Sequence, residues 1–549
     1  MNESGLHTIG GWVRDRARAS ADRIAVDDRG VVLSYRDLDE RSSALADAFR
    51  AAGYVVGDRV ATLTGNSSDH VVVFFACARA GLVLVPLSWR LSPRELATQL
   101  AVADPTLLLV EDECETLAGD ATARLAAAAL PTALPSTLPR TMLGARGVES
   151  RVPAPRRADA TDEPGHVGRA RSVQDDDALL LVFTSGTLGQ PKGVVLTHAN
   201  CFWTNLSLAA MVELTSADVV LSVMPQYHVG GWNIQPLLAW NVGATVVLER
   251  TFDPGRVLQL IQDRRISTMM GVPANYLFLA QHPLFAGADL SSLKHALVGG
   301  APMPAPLLRT WHARGVALTQ GYGLTEASPN VLYLPDEDAR SMVGYAGKPY
   351  PHVQVAVADP LTGEHLTGAG FGELLVRGPN VFSGYFRAPA ETAAALRDGW
   401  LHTGDLVRRD DRGYYAIVDR ISEIYTSGGE SIAPAEVENV VFEHAAVADV
   451  AVIGVPDDRW GEVGVAFVVL RPGHPAEQQA IDEQQILAHT RAELARFKVP
   501  AFVRFLPELP RSHSGKVQRR ELLARWQRAS VSGSPVSGSA VSTGTGSAS

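Results

Sequence analysis

The stretch Leu179 to Asn200, LLLVFTSGTLGQPKGVVLTHAN, constrains the fold of this chain more tightly than any other. Leu179 to Phe183 is an apolar run of strand length that leads straight into Thr184-Ser185-Gly186-Thr187-Leu188-Gly189-Gln190-Pro191-Lys192-Gly193. That composition suits a phosphate ligand. The glycines let backbone N–H groups turn inward without a Cβ clash, the hydroxyls of Thr184, Ser185 and Thr187 add donors, and Lys192 adds a point charge. Walker spacing is absent, because Pro191 precedes the lysine and the apolar run Val194 to Leu196 follows where a helix would be needed. The setting is strand, loop, strand, which suits a flexible clamp over a polyphosphate; the plainer alternative is a Gly/Ser hairpin turn.

A chain of 549 residues exceeds what one hydrophobic core supports, so at least two domains are expected. With 46% hydrophobic and 20% charged residues it has ordinary globular composition, and a net charge of -10 without long basic runs argues against nucleic acid as a partner. Arg14, Arg16, Arg18 and Arg23 fall in the opening segment without a continuous apolar stretch, so no signal peptide is expected. The longest apolar stretch, Val71 to Leu87, contains Arg79 and Pro86 and is too short to span a bilayer. Cys77, Cys114 and Cys201 lie far apart without metal-ligand spacing and read as reduced structural thiols, so a cytoplasmic location is expected.

From Ser34 the text reads as a capped amphipathic helix, with Asp37 three residues after the cap, Leu38, Leu45 and Phe49 on one face and Gly53 as the stop. Val60 to Leu63, a helix near His70 to Ala80, Leu82 to Val85, a helix from Pro93 and Leu107 to Val110 then alternate. That order implies a parallel sheet with right-handed crossovers and places the chain in the α/β class. Asp112 to Asp177 is rich in Ala, Pro, Arg and Thr, and reads as an irregular surface excursion, helical around Glu115 to Ala129. Further strand and helix units follow: Val219 to Met224, Ala244 to Leu248, Pro254 to Arg264, Thr268 to Val272 and Ala274 to Ala280.

Several later segments carry chemistry. Pro225 to Asn233 holds His228 beside an aromatic, and His295 to Pro302 is a strand ending in Gly299-Gly300, where a ligand can approach the backbone of an open α/β sheet. In Thr319-Gln320-Gly321-Tyr322-Gly323-Leu324-Thr325-Glu326 two glycines flank an aromatic able to stack on a purine, the threonine can donate to phosphate, and the carboxylate can hold a hard cation. Trp400 to Leu406 sets Asp405 after a glycine-enabled turn. A new pattern of short strands and helices begins near Val418 to Glu423, and Leu509 to Val517 closes on Gly515-Lys516. From Ser530 the Ser, Gly, Val and Thr content indicates a disordered tail.

These strings together resemble the adenylate-forming superfamily of acyl-CoA and aryl-CoA synthetases, peptide-synthetase adenylation domains and beetle luciferases. The resemblance covers roughly residues 8 to 525. It implies a large N-terminal domain (residues 1–418) of mixed, mainly parallel sheets, a hinge (419–422), a mobile α+β domain (423–528) and a tail (529–549). In the phosphate loop Leu188 stands where the family has Thr or Ser, and Ser422 stands where it has Asp or Lys as hinge. By resemblance, Thr184, Ser185, Gly186, Thr187, Gly189 and Lys192 hold ATP phosphates. Gly299, Gly300, Ala301, Gln320, Gly321, Tyr322 and Gly323 surround adenine and the acyl group. Thr325 contacts phosphate, Glu326 takes Mg2+, Asp405 and Arg420 hold the ribose, and Lys516 is the adenylation lysine. Ser427, Gly428 and Gly429 lie along the pantetheine of CoA, and His228 gates the acyl site. The acid pocket is expected at His228, Trp232, Tyr276, Gly299, Gly321 and Asn330.

The implied reaction is ATP-dependent formation of acyl-AMP followed by transfer to CoA, with Mg2+ as cofactor and a small-molecule carboxylic acid as substrate. Because no carrier domain follows, the sub-type looks like the fatty-acyl and aryl-CoA ligases, monomeric or homodimeric. Two other readings stay open: a member passing its activated group to an amine or to nitrite, and a non-catalytic binding homologue.

Overall fold

The computed structural model describes residues 5–127, 138–143, 152–155, 171–185, 191–360, 362–471, 483–512 and 515–531. The chain divides into two compact units, the first formed by most of the chain up to Ala416, the second by Ile417 onward with the short insertions Gly404–Arg408 and Pro304–Pro306. The class is α/β with mixed parallel and antiparallel sheets in the first unit, and the second is a smaller α+β unit.

The first unit has two large sheets. In the seven-stranded one Leu107–Val110, Arg59–Leu63 and Val83–Leu87 lie side by side and parallel, as their alternation with helices requires. Leu107, Leu108 and Leu109 are 0% exposed; burying each side chain stabilises the sheet by roughly 1.5 to 3 kcal/mol. Ala178–Ser185 extends this sheet and turns back antiparallel through Pro191–Thr197, with Thr184 facing Lys192 in register. The two ends of the phosphate segment, Thr184-Ser185 and Pro191 to Gly193, thus lie on paired antiparallel strands. Gly186, Thr187 and Gly189 lie outside the described residues.

The nine-stranded sheet carries Thr245–Leu248, Val219–Ser222, Thr268–Gly271, His295–Val298 and Leu318–Gly323 in parallel, edged by the antiparallel strands Asn330–Tyr333 and Lys348–Pro349. The helix Tyr35–Ala51 starts at a reciprocal capping box between Ser34 and Asp37 and buries Leu38, Leu45 and Phe49, the face its spacing predicts.

One expectation needs correcting. Part of the span 112–177 belongs to the core: the helix Glu115–Ala127 buries Ala118, Ala121 and Leu125, and Arg140–Met142 is an edge strand parallel to Leu107–Val110. The helix stands close to where the sequence places it, but alanine gives its face too little hydrophobic contrast to announce burial, and a three-residue edge strand carries almost no signal.

In the second unit, Val447–Asp457 and Gly461–Leu470 form a long antiparallel pair flanked by Phe502–Phe505 and by the hairpin Tyr425–Ser427/Glu430–Ile432. Ile453, Val465, Phe467 and Leu522 pack its core. The same unit holds a half-buried charge cluster: Arg519 contacts Glu423 at 2.9 Å and Glu438 at 2.9 Å. Burial pushes the Glu438 carboxyl up, while the surrounding carboxylates hold the Arg519 guanidinium above its ordinary range against the opposing effect of burial. No helix among the described residues is long and apolar enough to cross a membrane.

Candidate active site

In the first unit several of the residues singled out above follow the ends of buried strands. Gly299 follows the buried strand His295–Val298, and a Cβ there would lie 3.3 Å from the carbonyl of Gly321 on the adjacent strand. Gly300 turns at φ +82. Gln320 is buried and accepts from the Met303 N–H at 3.1 Å, which ties the turn after the paired glycines to the next strand. Gly323 has no alternative residue: a Cβ would stand 1.9 Å from the Pro329 carbonyl, because Asn330–Tyr333 folds back onto its strand at that point. Tyr322 is half-buried, and Thr325 and Glu326 occupy a single 3-10 turn immediately after the strand.

Glu326 brings in a residue that motif reading missed. Its Oε1 accepts from the Tyr385 hydroxyl at 2.9 Å, and the Lys192 ammonium lies 4.9 Å from the centroid of the same tyrosine ring. Gly384–Tyr385 pairs antiparallel with Val194 and Val195, which places the ring over the base of the hairpin. A two-residue strand bearing one aromatic has no periodicity to announce it. Asn380 was missed too; its Nδ2 donates to the carbonyls of Ala327 and Asn330, fixing the turn that carries Glu326.

The six expected pocket positions divide. His228 is half-buried, its ring 4.7 Å from that of Tyr227, and its carbonyl accepts from Gly231 at the start of the short helix Gly230–Asn233. Trp232 is a core residue and not an open pocket wall: it is 0% exposed, stacks on Phe74 at 4.6 Å and donates its indole N–H to the Gln226 carbonyl at 2.6 Å. Tyr276 is likewise fully buried, with its hydroxyl spent on the carbonyls of Leu297 and Met269. Burial of this kind is invisible to composition. Asn330 is 6% exposed, and its Nδ2 has no hydrogen-bond partner among the described residues. Leaving a buried amide unsatisfied costs about 1 to 3 kcal/mol, so this donor is available to a polar ligand group.

The second unit holds the remaining positions. Asp405 is buried and its Oδ1 accepts from Arg420 Nε at 2.9 Å, so the two residues expected at the ribose orient one another. Ser422 sits exposed in the turn that follows. Gly428 and Gly429, at φ +61 and +90, are the two central residues of the hairpin between Ser427 and Glu430, the left-handed pair that a tight two-residue turn demands. Gly428 also donates to the Trp460 carbonyl at 2.9 Å, with the Trp460 ring against its Cα side. Lys516 is exposed, in a turn closed by the Ser512 N–H to Lys516 carbonyl bond and by Arg511 donating to the Gly515 carbonyl.

Among the described residues no group of three or more His, Cys, Asp or Glu side chains could enclose a metal ion. A single carboxylate oxygen suits Mg2+ that keeps nucleotide phosphates and water as its other ligands, so Glu326 fits a shared magnesium and not a protein cage.

Strand-end glycines and a carboxylate turn in the first unit, and a glycine hairpin and a lysine turn in the second, are the features of a nucleotide-activating class of enzyme. The model of the AMP-binding enzyme matches residues 13–386, and that of the AMP-binding enzyme C-terminal domain matches residues 436–516. The chain belongs to the AMP-binding enzyme family. It is 40% identical over 519 residues to a feruloyl-CoA synthase of Amycolatopsis sp, covering 94% of this chain and 99% of the relative. It is 37% identical over 496 residues to an indoleacetate–CoA ligase of Aromatoleum aromaticum, covering 90% and 94%. Its fold matches that of ATP-bound MatB from Rhodopseudomonas palustris with a TM-score of 0.83 and 30% identity, over 96% of this chain and 99% of that one.

Proposed function

We propose that the acid this enzyme activates is an aromatic or cinnamic-type acid bearing a polar substituent. The observation that carries the proposal is the buried Asn330 amide with an unspent donor, and relatives named for ferulate and indoleacetate favour the same class. The enzyme is an AMP-forming acid–CoA ligase. In the first half-reaction a carboxylate oxygen of the acid attacks the ATP α-phosphorus, and the bond to the pyrophosphate oxygen breaks. In the second, the CoA thiolate attacks the acyl carbon and AMP leaves.

No covalent bond to the protein is needed, so the chain's residues work by positioning and by charge. Thr184, Ser185 and Lys192 hold the departing phosphates, Tyr322 stacks on the purine, Asp405 and Arg420 take the ribose, and Lys516 approaches the attacking carboxylate. Mg2+, when bound at Glu326, neutralises phosphate charge. His228 borders the acyl end, and the Gly428-Gly429 turn offers a surface without side chains to the pantetheine arm. Three buried thiols, Cys114 pushed up to about 11 by burial among them, suit a reducing cytoplasm, where the enzyme acts as a monomer or homodimer.

Pyrophosphate release measured over a panel of acids, with and without CoA, tests this reading. Release that depends on a substituted aryl acid, with matched CoA consumption, is the expected result. Adenylation coupled instead to an added amine overturns the CoA assignment, and a preference for long alkyl acids overturns the aryl one.

A further inference from the structure

Lys192 and Glu326 carry opposite charges on neighbouring elements, yet among the ion pairs of the described residues the two are not joined, and both meet Tyr385 instead. What stands between them is Tyr385. Its ring face meets the Lys192 ammonium at 4.9 Å, and its hydroxyl donates to Glu326 Oε1 at 2.9 Å. The two contacts reinforce one another: a cation over the ring withdraws electron density and makes the phenol a better donor to the carboxylate.

The backbone around Tyr385 is pinned to both charged elements. Phe386 N–H donates to the Gly193 carbonyl at 2.7 Å, one residue from Lys192, and Phe382 N–H donates to the Glu326 carbonyl at 2.8 Å. Tyr385 N–H itself is taken by Thr392 Oγ1 at 2.9 Å, and the Phe382 ring packs edge-on at 4.9 Å. The segment therefore links the strand bearing the lysine to the turn bearing the carboxylate, and the ring itself is held by its hydroxyl bond to Glu326 and its packing on Phe382.

We infer that Tyr385 is a positioning residue that keeps a cation and an anion from neutralising each other, so that Lys192 stays available to phosphate and Glu326 Oε2 to Mg2+. This rests on the reading that Lys192 and Glu326 serve the magnesium–nucleotide complex. Without the aromatic spacer the two side chains would close into an ion pair, and each ligand would then have to break that pair before binding. A scaffold residue acting only through packing would affect stability; this one affects Mg·ATP affinity.

The test is calorimetric titration of the intact enzyme with Mg·ATP at several Mg2+ concentrations, alongside separate assays of the two half-reactions. Tyr385→Phe keeps the ring and loses the hydroxyl; it should weaken Mg·ATP binding roughly tenfold and raise the Mg2+ requirement. Tyr385→Leu removes the spacer and should weaken binding roughly a hundredfold, and adding Lys192→Ala in that background should cost little more. In Tyr385→Phe melting temperature and thioester formation from supplied acyl-adenylate should stay at wild-type values, and in Tyr385→Leu the loss of Mg·ATP affinity should far exceed any loss in thioester formation from supplied acyl-adenylate. If Glu326→Gln weakens Mg·ATP binding but Tyr385→Phe does not, the inference about Tyr385 is overturned while the magnesium placement stands. If Glu326→Gln leaves binding and Mg2+ dependence unchanged, the placement itself is wrong and the inference falls with it.

Discussion

The two units hold their functional residues by different physics. In the first, candidate site residues follow buried apolar strands: Gly299 comes after His295–Val298, and Thr325 after Leu318–Gly323, so burial of the sheet places them. In the second, Lys516, Ser422 and Gly429 are exposed turn residues, and the same unit is tied together by the Arg519 cluster with Glu423 and Glu438. A site at the ends of an apolar sheet is rigid because moving it would expose the core. Exposed turns over a small core can change conformation at little cost in buried surface, which suits residues proposed to serve only one half-reaction each.

That contrast orders the expected effects. Lys516→Ala should be the largest, lowering acid-dependent pyrophosphate release on the order of 10^3-fold or more; Lys192→Ala should be milder, on the order of 10^2-fold, since other donors of the loop remain. Arg519→Met breaks the half-buried cluster and should destabilise the second unit by about 1 to 3 kcal/mol. Hydrogen exchange along Val447–Asp457 would report it while His295–Val298 keeps its protection; equal loss in both would deny the units their separate supports. Asn330→Val should cost a polar-substituted aryl acid about 1 to 3 kcal/mol in kcat/KM and leave its unsubstituted analogue alone. An unchanged ratio between the two acids would remove Asn330 from the pocket.

The smallest effect concerns pH. The hydrogen bond to Asp336, 2.8 Å away, raises the pKa of His295 above its ordinary 6.5. The protonated form is thus favoured by folding, and its stabilisation is complete below pH 6.5 and lost as pH rises through the raised value. His295→Asn should abolish that decline in the melting curve of the first unit.

How much of this was legible follows the same division. Leu107 to Val110, Leu179 to Phe183 and the Ser34 capping box could be read directly, because apolar runs and caps are local signals. Trp232 and Tyr276 were placed in the pocket because aromatic residues near a ligand segment look alike whether they face the cavity or stand behind its wall; only the stacking on Phe74 and the spent Tyr276 hydroxyl separate the cases. Tyr385, and Arg519 with its carboxylates, act through partners far away in sequence, as the separation of Glu326 from Tyr385 and of Glu423 from Arg519 illustrates. No periodicity encodes such pairs. The turn at Gly428-Gly429 was read as a glycine loop, but its two flanking strands of three residues each are too short to signal a hairpin.

The central claim is that the second unit serves the two half-reactions with different residues, Lys516 for adenylation and the Gly429 turn for thiol transfer. Single-turnover measurement of both half-reactions in Lys516→Ala and Gly429→Leu tests it most directly. The account predicts a crossed result: Lys516→Ala loses acyl-AMP formation but converts supplied acyl-adenylate and CoA to thioester at nearly the wild-type rate, while Gly429→Leu releases pyrophosphate normally and fails at transfer. Equal slowing of both half-reactions in either variant would contradict it.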